Sequence, residues 1–429
     1  MSSTLTQGIL QELNQIRLLD PHSHINPLAA ASRNLTDILG YHYYTELVHS
    51  AGIPREAIEA PGIDPRQRCE RIVAGLPQIQ NTVQYSWFQE ICREFFGFEE
   101  PTIEPRNWER LYDSAQRVLD QPDWEAKVIE RSQLEGVFLT NDFDDPLEGF
   151  DTEFYVPCLR TDELVFKISN PAVRGRFQSA TGSNPASARE LRTGLAALFQ
   201  RFVSRGARAC AISLPPDFTP EPIPDAQADI LLEKLARGLP LDPSGLRRLS
   251  QAIFWTIASL CDEYRLPFDL MIGVNRQVYP AGVFQGQDLF DSRCSLFPYA
   301  GLFRAFPRVA FPISVLSVGL NQELVAYSWI FPNVIAHGHW WYANIPAFIL
   351  ADCRARLQAV PETKQIGYYS DMYKLEFALP KFSMYRRILA TALAEDFVIG
   401  RGWSEERAVA LGRTVLRGNV ERVFPGLGK

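Results

Sequence analysis

The stretch from Leu18 to Pro27, "LLDPHSHINP", places two histidines two positions apart directly after a short apolar run. On an extended strand, residues i and i+2 point to the same side, so His22 and His24 project together. In a barrel of parallel strands, active sites are built at the C-terminal strand ends. Neutral imidazole is a common ligand of zinc and related ions. The stretch therefore favours a metal site over the alternative, in which both histidines only cap a strand through hydrogen bonds.

Seven further segments share the character of this first one: they are short and apolar, and they end in polar or turn residues. Together, the eight cover residues 16–24, 136–142, 164–170, 209–216, 268–275, 312–319, 333–339 and 365–371. Helical patterns, such as those over 188–206 and 245–264, lie between most of them. Because buried strands that alternate with helices form parallel βα units, the pattern predicts an α/β fold with a closed (β/α)₈ barrel.

The connection after the first predicted strand is much longer than the others. It exceeds a hundred residues and contains helical patterns over 83–98, 107–119 and 123–134. A connection of that length is too long for a loop. We therefore predict a helical subdomain over 31–134, inserted into a barrel formed by 1–30 and 135–429.

The composition is that of a folded protein, with 46% hydrophobic residues and a formal net charge of −7. That charge offers no basic surface for phosphates, so a small-molecule partner is expected rather than nucleic acid. The seven cysteines are scattered, which favours a reducing compartment, and no apolar run is long enough to span a membrane. We expect a cytoplasmic protein with no membrane association. The composition leaves open whether it is a monomer or a homo-oligomer.

An acidic residue at the end of the last predicted strand is the best partner for the first histidine pair. Asp371 closes the eighth segment in "IGYYSD". Because the first and last strands of a closed barrel are neighbours, Asp371 can face His22 and His24 across the barrel mouth. On its own, an aspartate at a strand end is usually a turn or capping residue. The remaining histidines form two more pairs, His42 with His49 and His337 with His339.

Several blocks along nearly the whole chain resemble the uronate (glucuronate) isomerases of the amidohydrolase superfamily. They are "LLDPHSHINP" (18–27), "GYHYYTELVHSAG" (40–52), "FFGFEEP" (95–101), "NDFDDP" (141–146), "LRTDELV" (159–165), "GARACAIS" (206–213), "HWWYAN" (339–344) and "SDMYKLEFALPKFSMYRRIL" (370–389). The resemblance implies a distorted (β/α)₈ barrel with a helical insertion and one divalent metal, usually zinc. It also implies interconversion of an aldo-uronate such as D-glucuronate and a keto-uronate such as D-fructuronate.

The resemblance also implies roles for particular residues. The metal ligands would be His22, His24 and Asp371. His42 and Tyr43 would lie near the reacting carbons, Arg160 would meet the substrate carboxylate, and Trp340 and Trp341 would line the pocket, with His49 and Lys374 as further substrate-binding candidates. Asp371 could also serve as the base, with Tyr43 or His42 moving protons. An arginine suits a carboxylate because it can bind both oxygens.

Each of these candidates also has a structural interpretation. Arg160 could form a surface ion pair, and His42, Tyr43 and His49 could belong to a solvated or packed helix face. Because Trp340 and Trp341 are adjacent, we expect only one of them to face inward on a strand.

The chain departs from the family pattern in several places. The family carries an Asp-His pair where this chain reads "SLPP" (213–216), and a histidine in the fifth strand where it has Met271. The arginine that the family has two residues after the last-strand aspartate is Tyr373 here. Conversely, His337 and His339 stand where the family has small residues. We therefore consider His337 and His339 as additional metal ligands, or as part of a site retuned for another reaction.

Three functions follow from these observations. The first is a metal-dependent isomerase of a uronate or related sugar acid. The second is a metal-dependent hydrolase or decarboxylase of a carboxylated substrate, which the H-x-H motif with Asp371 also fits. The third is a non-catalytic relative that binds a sugar acid, because the family's histidines on strands four and five are missing.

Overall fold

The structure, a computed structural model, describes residues 2–424 and 426. Its strands are β1 (Leu18–Asp20), β2 (Leu134–Phe138), β3 (Tyr155–Val156), β4 (Cys158–Arg160), β5 (Ala209–Leu214), β6 (Phe268–Ile272), β7 (Val274–Asn275), β8 (Leu289–Phe290), β9 (Phe311–Val315), β10 (Val334–His337) and β11 (Gln365–Ile366).

The α-helices, in chain order, are α1 (Ser2–Asn14), α2 (Leu35–Leu39), α3 (His42–Ser50), α4 (Arg55–Ile58), α5 (Pro65–Gly75), α6 (Val83–Phe96), α7 (Trp108–Leu119), α8 (Trp124–Ser132), α9 (Asp162–Lys167), α10 (Pro171–Thr181), α11 (Ala188–Ser204), α12 (Asp225–Ala236), α13 (Pro243–Tyr264), α14 (Ala300–Ala305), α15 (Val318–Ile330), α16 (Pro346–Ala359), α17 (Ala378–Ala392), α18 (Glu405–Arg413) and α19 (Asn419–Val423). None of the helices in the described part of the chain has the length and apolar character of a membrane span.

The predicted barrel is confirmed. Two parallel ladders, β1-β2-β3 and β4-β5-β6-β9-β10-β11, are joined at Pro157, because β3 pairs with β2 and β4 pairs with β5. The barrel closes beyond the ends of β1 and β11, where the amide of Asp371 donates to the carbonyl of His22 (3.1 Å) and the amide of His24 donates to that of Met372 (2.8 Å). These two hydrogen bonds bring both ends of the candidate site together.

The expected third strand over 164–170 is wrong, since this segment contributes to α9. Asp162 and Glu163 lie in the first turn of α9 and Lys167 in its last, which suits the helix dipole. The third barrel strand is instead β3 with β4. Pro157 lies between them and has no amide hydrogen to donate, which interrupts the strand pattern in the sequence.

The interior of the barrel is filled from its N-terminal end. Side chains from the strands pack there with residues of α19 and the residue after it: Leu19, Phe138, Val156, Cys158, Ala209, Ala211, Ile335, Ile366, Val420, Val423 and Phe424. Asn419 anchors α19 by donating to the carbonyls of Glu362 and Gln365, both 2.7 Å away, at the start of β11. Because this end is filled, the cavity of the barrel lies at the C-terminal strand ends.

Helices α2 to α8 lie between β1 and β2, in the segment where the sequence predicts an insertion. Their apolar residues share one core with α1 and α17, and α3 begins at the mouth of the barrel. A long connection after β6 meets them there, where the amide of Phe284 donates to Glu59 at 2.6 Å. The division into a barrel and an inserted subdomain at 31–134 stays a prediction.

Candidate active site at the barrel mouth

His22, His24 and Asp371 converge as the sequence predicts. Within the described part of the chain, they are the one set of three ligating side chains that comes together, with ligand atoms all within 4.8 Å of one another. Asp371 Oδ1 lies 3.3 Å from Nε2 of His24 and 3.7 Å from Nε2 of His22. The two imidazoles meet edge to face at 5.3 Å between ring centroids.

The donor atoms in this cluster fit a metal ion. Nε2 of His22 and Oδ1 of Asp371 are buried and have no hydrogen-bond partner among the described residues. Buried polar atoms are normally hydrogen-bonded, so unpaired ones need an explanation. Two imidazole nitrogens and one carboxylate oxygen that face one another are a ligand set typical of catalytic zinc. A divalent cation between them would satisfy both unpaired atoms.

The backbone and carboxylate of Asp371 are held by aromatic hydroxyls. Asp371 has a left-handed backbone (φ 54°), which is uncommon outside glycine and concentrates at functional sites. Tyr43 donates to Oδ2 of Asp371 at 3.2 Å, and Tyr41 donates to its carbonyl at 2.8 Å. Lys381 is fully buried below them and donates to the Tyr41 oxygen (3.0 Å) and to the carbonyl of Ser370 (2.7 Å).

Electrostatics keep Asp371 ionised. Burial by itself raises the pKa of a carboxyl, but the contact with His24 and the charges of His22 and Lys381 outweigh it and lower the pKa of Asp371. Burial lowers the pKa of Lys381 to about 8, although the charge of Asp371 opposes this. Burial also lowers the pKa of His42 to about 3, so its ring is neutral at physiological pH.

The first-strand histidines are held by residues that the sequence analysis did not identify. Nδ1 of His24 lies 2.8 Å from the hydroxyl of Thr140, and Nδ1 of His22 lies 3.4 Å from Oδ2 of Asp269 on β6. The one local signal for Asp269 is a charge inside the apolar strand "FDLMI" (268–272), since a buried charge needs a partner. Nothing in that pattern names the partner.

Neither His337 nor His339, the two additional metal ligands considered from the sequence, belongs to the cluster. Nδ1 of His337 contacts Oδ1 of Asp269 at 3.2 Å. Asp269 therefore lies between the rings of His337 and His22. His339 lies apart from the site, with Nδ1 3.7 Å from Asp352 on α16. Gly338 between them has a left-handed backbone (φ 50°), which ends the alternation of β10 and sends the two side chains in different directions.

A cavity of about 120 Å³ lies over the cluster and contains most of the predicted substrate-binding residues. It is lined by His24, His42, Arg160, Ser213, Met271, Arg276, Gln285, Asp288, Trp340, Trp341, Asp371 and Tyr373. Both tryptophans line it, contrary to the expectation that only one faces inward. The strand has already ended, and Trp341 has a left-handed backbone (φ 39°) at the start of a 3₁₀ turn. Ser213, Met271 and Tyr373, the departures from the family pattern, all face the same cavity.

Two arginines line the cavity, and each is paired with an aspartate. Arg160 pairs with Asp162 at 3.1 Å, and Arg276, on the connection after β6, pairs with Asp288 at 2.6 Å. An outer cavity of about 670 Å³ shares both arginines. No sequence motif indicates Arg276, because it lies on an irregular connection.

Two predicted substrate-binding residues lie elsewhere. His49 is bound through Nδ1 to the carbonyl of Ile53 at 2.9 Å and stacks on Tyr279. Lys374 donates to the carbonyl of Ala29 at 2.6 Å. Neither lines the cavity, so the prediction that they contact a substrate there is not supported.

No protein-family model matches the chain. Its fold and ligand cluster define a (β/α)₈-barrel protein with a candidate metal site at the barrel mouth. The sequence is 22% identical to the uronate isomerase of Nostoc punctiforme, over 79% of this chain and 78% of that protein. The crystal structure of a uronate isomerase from Thermotoga maritima matches 98% of this chain and 97% of its own with a TM-score of 0.89 at 16% identity. The glucuronate isomerase of Caulobacter crescentus matches 99% and 94% with a TM-score of 0.88 at 17% identity. The chain is thus similar to uronate isomerases both in sequence and in fold.

Proposed function

We propose that the chain is a metal-dependent isomerase that interconverts an aldo-uronate, such as D-glucuronate, and the corresponding keto-uronate. The convergence of His22, His24 and Asp371 at the barrel mouth, beneath a cavity with two arginines, is the observation that carries this proposal. Its supports are the ligand set, the neutral His42 and the similarity to uronate isomerases along the chain. The substrate is accordingly a small sugar acid, and the formal charge of −7 favours this over nucleic acid as the partner.

The proposed reaction moves hydrogen between neighbouring carbons. A base takes the proton from C2 of the aldose while the C1 oxygen gains a proton, which gives an enediol. The C2 oxygen then gives up its proton, and C1 receives one, which gives the ketose. Asp371 is the proposed base, because it stays ionised although it is buried. The neutral imidazole of His42, which lines the cavity, is the proposed group that moves protons between the two oxygens. Tyr43 does not line the cavity, so its hydroxyl would move protons through its hydrogen bond to Asp371.

His22, His24 and Asp371 would hold a single divalent ion, which we propose to be zinc. When bound, the ion supplies positive charge that stabilises negative charge developing on the substrate oxygens. The protein itself would exclude water from the site, because the three side chains are largely buried and Trp340 and Trp341 line the cavity.

The proposed carboxylate site consists of Arg160 and Arg276. Each is held by an aspartate through one edge of its guanidinium, which leaves further N–H donors free to meet an anion in the cavity.

The direct test incubates metal-loaded protein with D-glucuronate and with D-galacturonate and follows keto-uronate by NMR in D₂O. We expect product and incorporation of deuterium with at least one of the two. Replacement of Arg276 by Met should raise KM about 10- to 100-fold, the range for a hydrogen bond to a charged group. Arg293→Met is the matched control, because Arg293 also pairs with an aspartate but does not line the cavity. Metal-loaded protein that forms no keto-uronate from either sugar contradicts the proposal and favours a hydrolase or decarboxylase.

A further inference from the structure

A buried carboxylate bridges two imidazoles beneath the candidate metal site. Asp269 divides its oxygens between them: Oδ2 lies 3.4 Å from Nδ1 of His22, and Oδ1 lies 3.2 Å from Nδ1 of His337. All three side chains are at most 4% exposed. They come from three different barrel strands or strand ends, so only the closed barrel assembles them.

The bridge determines where the protons lie. An ionised carboxylate only accepts hydrogen bonds, so the Nδ1 atoms of both histidines must be the donors. In the neutral imidazole that a metal ligand requires, Nε2 of His22 then carries its lone pair towards Asp371. Nε2 of His337 finds no partner among the described residues, so Nδ1 makes the one hydrogen bond of that ring to a side chain.

His337 is itself held in place. The hydroxyl of Ser314 donates to its carbonyl at 2.9 Å, and the ring of Tyr369 lies 4.8 Å from His337 and 5.1 Å from His22. A Cβ on Gly338 would lie 2.2 Å from the ring of Tyr369, so the glycine is what allows this ring to fill the space between the two histidines.

We propose that Asp269 and His337 are positioning residues that orient the metal ligand His22. His337 secures one oxygen of Asp269, so that the other oxygen stays aligned with Nδ1 of His22. Without His337, Oδ1 of a buried carboxylate would lose its partner, and the carboxylate would turn or draw in water. Neither residue lines the cavity, so both act through His22 rather than on the substrate. This inference rests on the metal site of the proposed function.

The test measures metal affinity instead of turnover. Apo protein is titrated with Zn²⁺ against a chromophoric chelator, and the visible spectrum of the Co²⁺ form reports the geometry of the ligands. We expect Asp269→Asn to weaken binding about 10- to 100-fold and His337→Leu about tenfold, the range for groups that orient metal ligands. His337→Asn should stay within about threefold of wild type, because its amide keeps a donor near the position of Nδ1.

His339→Leu is the matched control. This variant removes another buried histidine of the same segment, which also lies beside an aspartate but does not contact Asp269. The Zn²⁺ affinity and the Co²⁺ spectrum of His339→Leu should match those of wild type. Circular dichroism of each apo variant verifies that it folds. Wild-type protein that binds no stoichiometric metal contradicts the proposed function itself. Wild-type protein that binds metal, with Asp269→Asn and His337→Leu no weaker than His339→Leu, overturns this inference alone.

Discussion

The two H-x-H motifs, His22 with His24 and His337 with His339, are alike in sequence and different in structure. Both lie at the C-terminal ends of barrel strands, and both have an aspartate nearby. The first pair points jointly at Asp371. The members of the second pair separate, one beneath the metal site and the other against α16.

The difference lies in the residue between the histidines. The segment around Ser23 pairs through backbone hydrogen bonds with the chain around Asp371 and has no left-handed residue, so its side chains keep their alternation. Gly338 has a left-handed backbone, and the alternation ends there. A spacing of two residues therefore indicates a joint site only where the backbone remains extended through both positions.

Removal of the first pair should have the largest effect. We expect His22→Ala/His24→Ala to lose stoichiometric metal and all keto-uronate formation, because a single carboxylate remains of the ligand set. Elemental analysis of purified protein and the NMR assay measure this. The counterpart in the second pair, His339→Leu, should keep both its metal and its turnover. Metal retained at wild-type stoichiometry in the double variant would show that the metal binds at another place in the protein.

Replacement of Asp371 and replacement of Asp352 should differ almost as strongly in their effects on kcat. Asp371→Asn should lower kcat by about a thousandfold, within the range for loss of a general base, because the amide cannot take up a proton. Asp352→Asn should leave kcat unchanged, since Asp352 contacts His339 and no residue of the cavity. Steady-state kinetics on metal-loaded protein tests the pair. Equal losses in both variants would show that the assay reports folding rather than chemistry.

The sequence was sufficient for the elements that repeat or that meet at strand ends. Alternating apolar and helical segments predicted the barrel, and ring closure predicted that Asp371 meets His22 and His24. Contacts without a local pattern could not be predicted. Pro157 interrupts the apolar pattern of the third strand. Asp269 contacts its two histidines only once the barrel has closed, and Arg276 lines the cavity from an irregular connection.

Restoring a side chain at the residue between the second pair should test the backbone explanation. A Cβ on Gly338 meets the ring of Tyr369 at 2.2 Å, in a left-handed conformation. We expect Gly338→Ala to lower the free energy of unfolding by about 3 kcal/mol, the sum of overpacking and left-handed strain. Gly402→Ala should lower it by about 1 kcal/mol, because Gly402 is also left-handed (φ 68°) but a Cβ there meets no described atom within 4 Å. Urea unfolding of both variants provides the comparison. Equal losses of free energy of unfolding would show that contact with Tyr369 does not contribute.

The smallest effect concerns His339, which is buried and does not serve the site. Burial and the nearby charge of Arg356 lower the pKa of His339 to about 4, although Asp352 opposes this, whereas the pKa in the unfolded chain is about 6.5. Below pH 6.5 this histidine binds a proton in the unfolded chain but stays neutral in the folded protein, which favours unfolding. The contribution of the neutral His339 to stability is therefore present above pH 6.5 and is lost as the pH falls towards 4. Between pH 7 and pH 5 the loss from this one group is about 2 kcal/mol. His339→Leu should therefore show a shallower fall in the free energy of unfolding over this interval, by the same amount. Parallel pH profiles for wild type and variant would mean that His339 accepts a proton in the folded protein, and the second pair would then contain a charged histidine after all.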